Sequence, residues 1–179
     1  IERISNGEVF VSTQRNRGTG TISKSKNGKF TANYKHLSSV RMWRTKSQDE
    51  GARAIARFVE KFKTVLFLEL LDCEITALGC EFLSQGLHPS NQNGVVILKL
   101  DHNPIGSQGV QVLVEALAMN KYLKYISLSF CQIGPDGADS LAQIVIFQNS
   151  VLEQLELEGN DLRNEGAYKI MLSLQCSKS

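Results

Sequence analysis

From residue 37 onward, apolar side chains recur in a spacing that joins a strand-like alternation to a helical one within a single unit. Leu152, Leu155, Leu157, Asn160 and Leu162 fill the first, fourth, sixth, ninth and eleventh positions of such a unit. Leu123, Ile126, Leu128, Cys131 and Ile133 take the same offsets, as do Val95, Leu98, Leu100, Asn103 and Ile105, and Val65, Leu68, Leu70, Cys73 and Ile75. A degenerate first copy runs Leu37, Val40, Met42, with Thr45 and Ser47 in the later slots. The five copies start at 37, 65, 95, 123 and 152, in steps of 28, 30, 28 and 29 residues.

The second half of each unit carries its own signal. A glycine stands fourteen residues after every start, at Gly51, Gly79, Gly109, Gly137 and Gly166. It falls where a loop turns into a helix, where a missing Cβ permits unusual φ or close backbone approach. Apolar residues follow at offsets 18 and 22: Ile55 and Val59, Leu83 and Leu87, Leu113 and Leu117, Leu141 and Val145, Ile170 and Leu174. An i, i+4 pair is the stripe that a helix lays against a core. The spacing therefore predicts one short strand and one helix per unit, with Leu and Ile pointing inward from the strand and Asn or Cys at the ninth position bonding to neighbouring loops. Stacked units of this kind share one continuous core. The expected fold is α/β, a right-handed solenoid bent into a horseshoe arc, with a parallel inner sheet and outer helices.

Cys73-Glu-Ile-Thr-Ala-Leu-Gly-Cys80, followed by Asn103-Pro-Ile-Gly-Ser-Gln-Gly109, alternates a Cys-bearing unit with an Asn-bearing one, and Cys131 and Asn160 repeat the alternation. This pattern resembles the leucine-rich repeats of the ribonuclease-inhibitor subfamily, which are shared with NLR receptors, the Ran GTPase-activating protein and several axonemal proteins. The resemblance covers about residues 37–179. It implies a fold; the subfamily serves unrelated functions, so it does not imply one activity.

Residues 1–36 differ in charge. They hold seven Lys or Arg against two Glu, a net of +5, whereas the whole chain of 179 residues has a formal charge of only +2. This reads as a basic N-terminal cap or linker segment ahead of five repeats over 37–179. Gly7–Val11 is strand-like, and Arg17–Thr21 and Asn27-Gly28 are turn signals. Gly18-Thr-Gly20 lacks the remainder of a phosphate-binding loop, so no cofactor is expected. The chain begins at Ile1 and ends inside a repeat, which reads as a piece of a longer protein.

No apolar run reaches the roughly 18 residues that span a bilayer, and no signal-peptide order precedes the repeats. Cys73, Cys80, Cys131 and Cys176 have neither zinc-knuckle nor CxxC spacing and are expected to be reduced thiols. The modest net charge does not mark a nucleic-acid-binding chain. A cytoplasmic protein is expected, with the cytoskeleton or cilium as further settings and no membrane partner.

Strand side chains between the buried ones face the open surface of such an arc, which commonly binds partners. Those slots hold Arg41, Trp43 and Arg44; Glu69, Leu71 and Asp72; Lys99, Asp101 and His102; Tyr125, Ser127 and Phe130; and Gln154, Glu156 and Glu158. Trp43, flanked by arginines, is the expected anchor, since Trp and Arg are enriched at interface hot spots. Asp72, Asp101 and His102 invite comparison with an acid/base or metal cluster, but an open surface lacks the water-excluded pocket that such chemistry needs. The expected function is a non-enzymatic protein–protein interaction module, possessing neither cofactor nor metal. Two alternatives accompany it: a GTPase-activating regulator acting through Asn103, Asn160 or Arg163, and a scaffold subunit of a larger cytoskeletal or ciliary assembly.

Overall fold

A computed structural model describes residues 3–4, 7–13, 22–24, 30–32, 37–91, 94–118, 120–146 and 151–176. Four short strands come first: β1 (Arg3–Ile4), β2 (Gly7–Thr13), β3 (Ile22–Lys24) and β4 (Phe30–Ala32). Five strand–helix pairs follow. They are β5 (Leu37–Trp43) with α1 (Gln48–Lys61), β6 (Phe67–Leu71) with α2 (Ala77–Leu87), and β7 (Ile97–Lys99) with α3 (Gly106–Leu117). The last two are β8 (Tyr125–Ser127) with α4 (Pro135–Ile146), and β9 (Gln154–Glu156) with α5 (Arg163–Cys176).

Strands β5 to β9 form a parallel sheet in chain order, and β2 adds antiparallel to β5 with Val11 opposite Val40. The strand-like run at 7–11 thus lies within β2, while the turn signals at 17–21 and 27–28 lie outside the described residues. Parallel register aligns equivalent positions across units: Val40, Leu68, Leu98, Ile126 and Leu155 stand side by side. Their side chains and those of Leu70, Leu100 and Leu128 build the core, with Leu68, Leu70, Leu98 and Leu100 wholly excluded from solvent.

The ninth position closes each loop. Asn103 Nδ2 donates to the carbonyls of Leu70 at 2.7 Å and Leu100 at 2.8 Å. Asn160 repeats this on Leu128 and Leu157, at 2.8 and 3.0 Å. In the cysteine units the thiol donates instead, Cys131 Sγ reaching the Leu100 carbonyl at 3.2 Å. One position earlier, the backbone of every unit enters the left-handed region, at Arg44, Asp72, His102, Phe130 and Gly159. This residue ends the strand's run and turns the chain toward the loop.

The recurrent glycines take one of their two expected roles. All five lie in the first turn of a helix, and none has positive φ; Gly106 and Gly159 are the described glycines that do. Their role is close approach. A Cβ on Gly137 would lie 2.5 Å from Ile133 Cγ2 and 3.0 Å from Ser107 Cα, so a helix start there abuts the preceding unit's helix.

One expectation gives way at the last unit, and the degeneracy of the first takes physical form. Leu174, predicted inside, is 51% exposed, and Ile170 is half-buried, because α5 has no described layer beyond it to cover that stripe. In the first unit, Ser47 occupies the slot held by Ile75, Ile105 and Ile133 in the next three. Its hydroxyl is buried with no hydrogen-bond partner among the described residues. This buried hydroxyl is the physical content of the first copy's degeneracy.

Candidate functional site

Because side chains alternate across a pleated strand, the residues between the core leucines emerge on the sheet face away from the helices. Register sorts them into rows. One row runs Arg41, Glu69, Lys99, Ser127, Glu156, each residue opposite the next. Nearer the strand ends stand Trp43, opposite Leu71, and beyond them Asp101, Ser129 and Glu158. The left-handed residues Arg44, Asp72, His102 and Phe130 form the rim.

A groove of about 560 Å³ opens along the later rows. Trp43, Arg44 and Asp72 line one part, Asp101 and His102 the middle, and Phe130, Glu156 and Glu158 the other end. Eight of the sequence-predicted site residues therefore converge on one concavity. Arg41, Glu69, Lys99 and Tyr125 do not line it and are occupied with one another. Arg41 Nε pairs with Glu69 Oε2 at 3.2 Å, and Lys99 Nζ sits 4.9 Å from the Tyr125 ring centroid.

Leu71 and Ser127 also line the groove, in slots the pleat alternation identifies, and so does Ser129, which the sequence reading passed over. The signal for Ser129 was available: it stands in the slot equivalent to Trp43, Leu71 and Asp101, but a small serine draws no attention. Phe67 and Ile97, half-buried and in register with Tyr125, are on that alternation too.

Electrostatics divides the face. Three cations of the first unit meet three carboxylates of the second: Arg41 with Glu69, Arg44 with Asp72 at 3.1 Å, and Lys46 with Glu74 at 3.5 Å. Arg44 also lies 5.2 Å from the Trp43 ring centroid, so its plane is held from two sides. A hydrogen bond from Gln48, aided by nearby Lys46, holds the Glu74 carboxyl below the usual carboxylate range. In the later units the carboxylates are met by neutral donors. Ser127 Oγ lies 2.5 Å from Asp101 Oδ1 and 3.2 Å from Glu156 Oε2, and the Ser129 N–H donates to Asp101 Oδ1 at 2.8 Å. A hydrogen bond from Tyr125 lowers the Glu156 carboxyl's pKa, whereas burial first, then that same partner, pushes Tyr125 up to about 12.

The Asp72, Asp101 and His102 trio does not assemble. Asp72 is taken by Arg44, Asp101 by Ser127 and Ser129, and the His102 ring stacks on Phe130 with centroids 4.6 Å apart and planes 4° from parallel. Nor are the loop residues Asn103 and Asn160 available to reach a partner, because both carboxamides are spent on the backbone of adjacent units. Arg163 is exposed, with Asp161 at 3.5 Å.

A parallel sheet walled by helices on one side and bearing an open groove of mixed aromatic and charged residues on the other defines the class: a leucine-rich-repeat solenoid. Comparison with known proteins agrees. The family model described as "Leucine Rich repeat" matches residues 120–142 and 148–171. The ribonuclease inhibitor of Mus musculus is 29% identical over 130 residues, 72% of this chain and 28% of that protein, and the Sus scrofa inhibitor is 28% identical over 129. NACHT, LRR and PYD domains-containing protein 5 of Mus musculus is 30% identical over 113 residues, 63% of this chain and 10% of its own length. The chain carries leucine-rich repeats similar to those of the ribonuclease-inhibitor-like type, and it spans 28% or less of the length of these relatives. Among solved structures, the domain titled "Leiomodin-1 Actin-Binding Site 2 (ABS2)" shares the fold with a TM-score of 0.55, at 18% identity and covering 72% of each chain.

Proposed function

We propose that the chain is a non-enzymatic interaction module whose protein partner docks in the concave groove and on the adjoining strand-to-helix loops. Leucine-rich-repeat domains generally mediate protein–protein interaction. The observation that carries the reading is the exposure of large aromatics inside the groove: Trp43 is 49% and Phe130 44% accessible, each beside charged groups. Exposed aromatics ringed by polar side chains are the usual composition of an interface hot spot. Among the described residues no helix is long and apolar enough to cross a membrane, and a cytoplasmic or cytoskeletal setting is part of this proposal. A cytoskeletal partner is in keeping with the actin-binding title of the leiomodin neighbour, whose likeness to this chain is one of fold. In the same proposal residues 1–36 are a basic cap, its strand β2 lying along the open edge of β5.

Photo-crosslinking tests the reading. A crosslinker replacing Phe130 should trap a partner that the same group replacing Gln111, exposed on α3, does not trap. The adduct should disappear on Trp43→Ala while the melting curve stays that of the parent. Equal trapping from both positions, or trapping from α3 alone, would place the docking surface elsewhere.

A further inference from the structure

The concave face is not uniformly charged, and the imbalance has a definite location. Each carboxylate that β6 and its following loop offer to the face is matched by one cation from the first unit, through Arg41–Glu69, Arg44–Asp72 and Lys46–Glu74. That half is closed electrostatically. In the other half, Asp101, Glu156 and Glu158 form no ion pair among the described residues. Lys99, the cation of that region, leans over the Tyr125 ring, and its charge acts on Glu156 without forming an ion pair.

Two of the three carboxylates, Asp101 and Glu156, are nonetheless held in place. Asp101 accepts from Ser127 Oγ and the Ser129 N–H, both on Oδ1, which leaves Oδ2 as the acceptor directed to other groups. Glu156 accepts from Gln154 Nε2 at 3.0 Å and stands 3.2 Å from Ser127 Oγ, whose one hydrogen serves the nearer Asp101. Neutral donors fix the carboxylates without cancelling their charge, so an incoming cation meets preorganised acceptors. Between them stands an exposed aromatic pair, the His102–Phe130 stack, which both residues reach by turning their backbones to φ of 59° and 56°. All five side chains line the same groove.

We infer that this half of the groove binds an arginine side chain in a basic segment of the partner, the guanidinium lying on the Phe130–His102 surface and pairing with Glu156, Glu158 or Asp101. A guanidinium is planar and weakly hydrated, so it stacks on an aromatic face while its edge N–H groups bond to carboxylates at the side. A lysine ammonium offers neither the plane nor the fork. The inference rests on the concave-face reading proposed above.

Trp43 is the single tryptophan of the chain and lines the same groove, which makes its fluorescence a reporter of occupancy. The probes are hexapeptides of arginine, lysine and citrulline, titrated at low salt and followed in parallel by calorimetry. The arginine peptide should bind at least about 5-fold more tightly than the lysine peptide, and the uncharged, isosteric citrulline peptide should not bind measurably. Joint Glu156→Gln and Glu158→Gln substitution should weaken arginine binding at least about 5-fold, and Phe130→Ala should erase the preference for arginine over lysine. Glu115→Gln, exposed on α3, should change nothing. Equal affinity for the arginine and lysine peptides, no binding of the arginine peptide, or indifference to the paired Glu substitutions would each overturn the inference. If a crosslinked partner is lost on Trp43→Ala yet unaffected by the paired Glu substitutions, the docking surface stands and the arginine site does not.

Discussion

The side-chain oxygen of Asn103 accepts the backbone N–H of Cys73 from the preceding unit at 2.9 Å, locking two loops that lie thirty residues apart. The same oxygen takes the N–H of Ile75 at 3.1 Å, and the amide nitrogen serves two carbonyls, so one buried carboxamide satisfies four backbone groups. Water cannot substitute at a residue only 1% exposed.

Asn103→Ala is therefore expected to cost about 3 kcal/mol, since it strands buried donors and acceptors together. Asn160→Ala breaks equivalent bonds at a half-buried position in the last unit, where water reaches the freed groups, and is expected to cost about half as much. Urea melts of the two variants measure this; equal losses would mean that burial does not set the strength of the ladder.

A parallel gradient applies to the core. Leu128 is 1% exposed, between units on both sides, whereas Leu157 is half-buried at the end of the stack. Leu128→Ala should lose about 2 to 5 kcal/mol and Leu157→Ala clearly less, because an end layer leaves a smaller cavity. Denaturant midpoints with unchanged slopes report both, and a loss below about 1 kcal/mol for Leu128→Ala would contradict the register of the strands.

Gly109 and Gly137 give a test with an unusual sign. In a helix alanine ordinarily exceeds glycine by about 1 kcal/mol. Here a Cβ at Gly109 would lie 2.4 Å from Ile105 Cγ2 and 3.2 Å from the Ala77 backbone, and at Gly137 it would meet Ser107 Cα at 3.0 Å. Gly137→Ala should thus lower the melting temperature despite the better propensity, and Gly137→Val should lower it further. A rise for the alanine variant would show that the helices separate without cost.

Cys73, Cys80 and Cys131 are wholly buried and free, while Cys176 is exposed. One thiol of the four should react rapidly with an aromatic disulfide reagent in the native protein and four after unfolding. Two or more fast native thiols would contradict the packing of the sheet–loop junctions.

Alkaline stability follows from the same burial. Removal from water pushes the Cys131 thiol up to about 12, and burial likewise raises Cys80 and Tyr125. An unfolded thiol ionises near about 8.5, so above that pH the unfolded state releases protons that the folded state retains. The Cys131 contribution is complete below about pH 8.5 and falls away as the pH climbs toward about 12. Unfolding free energies between pH 8 and 11 should decline, and less steeply for Cys131→Ala; identical slopes for the two proteins would remove Cys131 from the account.

By itself the sequence determined what depends on position within one unit. Period-two and helical spacing placed Leu68, Leu98 and Ile126 inward and Trp43 outward, because the pleat and the helix impose those directions locally. The ninth-position Asn and Cys were legible for the same reason. What only the tertiary structure decided concerns neighbours twenty-six or more residues away, whose meeting depends on how units stack. It paired Arg41, Arg44 and Lys46 with the second unit's carboxylates, and it dispersed Asp72, Asp101 and His102 to separate partners. It also decided between the two readings of the recurrent glycines, in favour of close contact between helices over unusual φ. The His102–Phe130 stack needed a left-handed backbone at two non-glycine residues, a conformation that costs energy locally and that the loop's bonds to the next unit, such as His102 N–H to the Ser129 carbonyl at 2.9 Å, maintain.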